Sequence, residues 1–75
     1  MNRNEKLAKL ATAVSEWRGA FNPNTGKWTR HPKEKAVFRV AKWLERLGRK
    51  DVDGDIALIQ TFTQYQQFNA WIASL

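Results

Sequence analysis

Apolar residues recur along the chain at steps of three and four, and the first such run is the clearest. Leu7, Leu10, Ala11, Val14, Trp17 and Phe21 keep that spacing, which stacks them on one face of a helix. Glu5, Lys9, Thr12 and Glu16 fall on the opposite, wet face. The pattern predicts a helix over about 4–18, with Asn4 as its N-cap and Gly19 at its end. The stretch Asn22-Pro23-Asn24-Thr25-Gly26 then breaks the period. Proline presets a negative φ, asparagine tolerates turn conformations, and glycine supplies positive φ. Phe21 and Trp28 flank this turn and are expected to pair across a short β-hairpin near 20–30. An isolated hairpin is marginal in water, so it must rest on a helix or a third strand. The alternative is an ordered loop.

The helical period returns at Pro32. Proline suits a first helical turn, and Gly48 suits the position just past the last one. A second helix is predicted over about 32–47, with Val37, Val40, Ala41, Leu44 and Leu47 facing the core. In the last third, Thr63 followed by Gln66 has capping-box spacing. It predicts a final helix over about 64–74, with Tyr65, Phe68, Ile72 and Leu75 as its apolar stripe and Trp71 at the edge. Between these helices lies DIALIQTF. Ile56, Leu58 and Phe62 alternate as in a strand, whereas Leu58, Ile59 and Phe62 fit a short helix capped by Asp51 or Asp53. The strand is preferred, because it gives the hairpin a third member. The expected fold is helix-rich α+β with three helices, a hairpin near 20–30 and a third strand near 55–62. The alternative is all-α with an ordered loop.

Size narrows this further. Seventy-five residues make one small domain, which buries only about 60–65% of its unfolded surface. No cysteine is present, which excludes disulfides and thiolate metal sites. Four tryptophans and four phenylalanines are a heavy aromatic load for so small a core. Most should build that core, and the surplus makes a homodimer an expectation too, because pairing two chains buries more apolar surface. MNRNEKLAKL carries no long apolar run, so neither a signal peptide nor a membrane segment is expected and the location is read as cytoplasmic.

Charge changes the picture more. The net charge is +6, but residues 27–50 carry nine bases against two acids while residues 51–75 carry three acids and no base. Such a dipole points to a polyanionic partner. Spaced 100° apart on a helix, Lys35, Arg39, Lys42, Arg46 and Arg49 fall within an arc of roughly 80°. The arc lies opposite the core positions. Phe38 and Trp43 sit on its two shoulders, and both acids, Glu34 and Glu45, fall together on one flank. A helix made only for solubility mixes signs and uses i,i+4 ion pairs, whereas like neighbours cost a few tenths of a kcal/mol each. Lys27, Arg30, His31 and Lys33 extend the patch, and Trp28, Phe38 and Trp43 are candidates to stack on bases, Trp28 foremost. The expected function is a non-catalytic protein that binds DNA or RNA through phosphates. The alternative is a small interaction module, an inhibitor or adaptor, docking on an acidic protein.

Other motifs add little. DVDGD has the spacing of the first calcium-loop ligands, but Ile56 and Phe62 stand where glycine and glutamate belong. A turn is expected there instead. His31 is the only histidine, and no nucleophile, base and orienting group can be assembled around it, so neither catalysis nor a cofactor is expected. A helix–turn–helix register with its second helix after Gly48 would meet DNA with Asp51, Asp53 and Asp55, and is rejected.

Overall fold

Asn2, rather than Asn4, starts the first helix. Its side-chain oxygen accepts the Glu5 backbone N–H at 2.9 Å, so α1 spans Arg3–Arg18 in the computed structural model, which describes residues 1–75. Gly19, at φ 113°, turns the chain out of the helix while its N–H still donates to the Ser15 carbonyl at 2.8 Å. The chain then forms the expected hairpin. Strands β1 (Phe21–Asn22) and β2 (Lys27–Trp28) pair antiparallel, with Phe21 opposite Trp28 and Asn22 opposite Lys27.

The third strand does not form, and residues 55–61 are corrected to helix: α3 spans Val52–Thr61, and Phe62, extended, ends it. Asp51 decides this locally by accepting the Gly54 N–H on its side chain at 2.9 Å. Asp53 and Asp55 then fall in the first turn, where acids favour the helix dipole. Packing agrees. Ile59 is fully buried while Leu58 is 40% exposed, the reverse of what strand alternation requires. The hairpin is supported instead by the start of α4 (Tyr65–Ala73). Gln64 forms an antiparallel bridge with Lys27, and the Tyr65 N–H donates to the Gly26 carbonyl at 3.2 Å. The Tyr65 ring stacks on Phe21 at 4.7 Å between centroids and meets Trp28 edge-on at 5.0 Å. The cap of α4 also shifts by one residue from Thr63 with Gln66: Gln67 Oε1 accepts from the N–H groups of Gln64 and Thr63.

Pro32 lies outside the second helix. Lys33 is extended, and its N–H donates to the Trp17 carbonyl of α1 at 2.6 Å. A 3₁₀ turn, Glu34–Ala36, then leads into α2 (Val37–Arg46), and Gly48 at φ 82° follows its end. The core joins Leu10, Val14 and Trp17 of α1 to Val40 and Leu44 of α2, with Ile59, Phe62 and Phe68 from the last third. Arg18 stitches α1 to α3 by donating to the Gln60 and Phe62 carbonyls, and burial lowers its guanidinium pKa. The fold is helix-rich α+β, four helices and one hairpin. None of its helices is long and apolar enough to cross a membrane.

Candidate nucleic-acid interface

Burial of Val40 and Leu44 fixes the rotation of α2. Lys35, Arg39, Lys42 and Arg46 are thereby left exposed. One ion pair touches this ridge: Arg39 Nη1 lies 2.7 Å from Glu16 Oε2 of α1, with side chains 69% and 47% exposed. The Lys42 ammonium and the Arg46 guanidinium lie 5.5 and 4.8 Å from the centroid of Trp43, where the ring quadrupole holds cations weakly.

The ridge continues across the seam with α1. Two adjoining depressions, of about 300 and 260 Å³, share Thr12 and Glu16. Arg30 and Lys33 line the first, between α1 and the segment that follows the hairpin. Lys9, Arg39 and Lys42 line the second, between α1 and α2, with Trp43 on its wall. Five cations and one carboxylate, Glu16, therefore line the two depressions. Lys9 is the member that sequence reasoning missed. It shares a helix face with Thr12 and Glu16, and only the packing of α1 on α2 brings that face beside the ridge.

Three of the expected site residues lie elsewhere. Lys27 is exposed on β2, against Gln64. Trp28 is half-buried, with Tyr65 at its ring and the Arg18 guanidinium 5.5 Å from its centroid. Its indole is committed to the hairpin's packing on α4. Arg49 makes a bidentate pair with Asp55, at 2.8 and 3.1 Å, and lies 5.8 Å from the Trp71 ring. The hydrogen bonds that Arg49 donates to the Asp55 carboxylate raise the Arg49 pKa above its ordinary value. Arg49 thus joins the end of α2 to α3, and its charge is answered within the chain. The aspartates of DVDGD divide the local work: Asp51 caps α3, Asp53 sits in its first turn, and Asp55 holds Arg49.

Compared with protein-family models, curated proteins and solved structures, the chain gives no match.

Proposed function

We propose that this is a non-catalytic nucleic-acid-binding protein whose α2 ridge, widened by Lys9, Arg30 and Lys33, lies along phosphates. The observation that carries the reading is the lack of neutralisation. Lys35, Arg39, Lys42 and Arg46 repel one another at helical i,i+3 and i,i+4 spacing, at a cost of a few tenths of a kcal/mol per pair. Glu16 is the one carboxylate that answers them. Cations about 5–6 Å apart along a rigid helix can each displace a counterion from a phosphate, which is the main source of such affinity.

Gel shifts against duplex DNA, single-stranded DNA and RNA at 50 and 200 mM salt test this. With four phosphate contacts, affinity should fall about 50-fold for single strands and about 150-fold for duplex across that range. Arg39→Glu with Lys42→Glu should abolish the shift. Unchanged binding by that double variant would remove the ridge as the site. Absence of nucleic-acid affinity at low salt, with retention of one acidic protein in a pull-down, would assign the ridge to a protein partner instead.

A further inference from the structure

We infer that the ridge takes a single strand, with Phe38 as the platform on which one base stacks. The inference rests on the phosphate-binding reading and specifies its ligand.

Phe38 is 74% exposed on a rigid helix, far more than any other aromatic side chain. Trp17, Phe62 and Phe68 are buried. Trp28, Tyr65 and Trp71 are half-buried in ring–ring contacts, and Phe21 stacks on Tyr65. Trp43 is half-buried beside α1 with two cations against it. Phe38 has neither a ring partner nor a cation over its face. It is the one aromatic surface left open.

Its position supplies the charge complement. Phe38 stands one turn from both Lys35 and Lys42, on the shoulder of the ridge away from the α1 seam. A backbone lying on the cations therefore has a flat apolar face within reach on one side. Glu34 lies one turn before Phe38 and Glu45 further along the same flank. Their charge discourages a second phosphate strand there and leaves room for a neutral base. In a duplex the base faces are hidden in the stack. In a single strand every base offers one, and stacking on an aromatic side chain is worth about 1–3 kcal/mol.

The test is fluorescence anisotropy with a labelled oligothymidylate and with a duplex of equal length, at low salt. Phe38→Ala should weaken single-strand binding by about 5- to 150-fold and duplex binding by less than about twofold. Phe38→Tyr should restore the single-strand affinity, and Phe38→Leu, apolar but without a π-face, should not. Helical circular dichroism should be unchanged in all three, because the site is exposed. Single-strand affinities within twofold of the parent for Phe38→Ala and Phe38→Leu would overturn the inference. If Arg39→Glu with Lys42→Glu still abolishes binding, the phosphate reading survives that failure. Tighter binding of duplex than of single strand by the parent protein would also overturn it. No binding of either ligand, nor of RNA in the gel shifts, would remove both readings together. A parent dimer that Phe38→Ala converts to monomer would assign the ring to self-association instead.

Discussion

Glu16 is the one carboxylate among the five cations that line the two depressions, so its removal should strengthen binding. In Glu16→Gln the size of the side chain is kept and its charge is lost. Glu16 Oε2 lies 2.7 Å from Arg39 Nη1, so a phosphate on the far side of that guanidinium would sit roughly 7 Å from the carboxylate. Two unit charges at that distance interact by about 0.6 kcal/mol in water and about 2.4 kcal/mol at an effective dielectric constant of 20. With the two side chains 69% and 47% exposed, the watery limit governs, at about 0.6–1 kcal/mol. That is a three- to fivefold gain in affinity, by about 1.4 kcal/mol per tenfold. Stability should change little, because exposed pairs contribute about 0.2–1 kcal/mol. The assay is an anisotropy titration at several salt concentrations. Glu5→Gln, which makes the same change in net charge on the first turn of α1, is the control. A gain no larger in Glu16→Gln than in Glu5→Gln would mean that only total charge matters. A loss of affinity would mean that Glu16 is needed to hold Arg39 in place.

Arg49 and Asp55 should behave in the opposite way. Asp55→Asn removes the negative charge and one of the two acceptor oxygens of the bidentate pair, in which Asp55 is buried and the Arg49 side chain is 37% exposed. Discounted for that exposure, the loss should be about 1–2 kcal/mol by urea denaturation. Arg49→Gln should change nucleic-acid affinity by less than about twofold; a tenfold fall would return Arg49 to the binding surface. Gly19→Ala places a Cβ 2.6 Å from the Arg30 Cβ at φ +113°, and should cost about 1–3 kcal/mol. Gly48→Ala also has positive φ but meets nothing within 4 Å, so it should cost less, and equal losses would discount the clash. Asp51→Ala should lose about 1 kcal/mol with the cap of α3, read by the same denaturation.

Long periodic segments were legible in the sequence because burial and spacing agree there. Leu10, Val14 and Trp17 of α1, and Val40 and Leu44 of α2, occupy the core positions that the period assigns. The hairpin was legible from turn chemistry, and its Phe21–Trp28 pairing is present. Residues 55–62 were misread for a physical reason. A run of eight residues offers too few apolar positions to separate a period of 2 from one of 3.6. The arbiter was Asp51, whose side chain gives α3 a cap that a strand cannot use. The hairpin's third member is supplied instead by Gln64 and Tyr65. Sequence proximity gives no sign that the start of α4 reaches back to Gly26.

The candidate site divides along a similar line. Helical projection alone places Lys35, Arg39, Lys42 and Arg46 together, because α2 carries the last three and the 3₁₀ turn leading into it carries Lys35. It cannot say which other elements come alongside or which cations pair within the chain. Helix packing sets Lys9 beside the ridge, and Arg49 turns to a partner six residues on. The aromatic residues show the same limit from the other side. Composition suggests a surplus of rings, and with it self-association or base stacking by Trp28. Packing uses nearly all of them within one chain: Tyr65 alone gathers Phe21, Trp28 and Phe68 around it. What remains of the surplus is Phe38, beside the cations. An exposed phenylalanine contributes nothing to the core, and a row of like charges opposes its own helix. The single strand we propose, with an anionic backbone and flat bases, would meet both features on adjacent faces of α2.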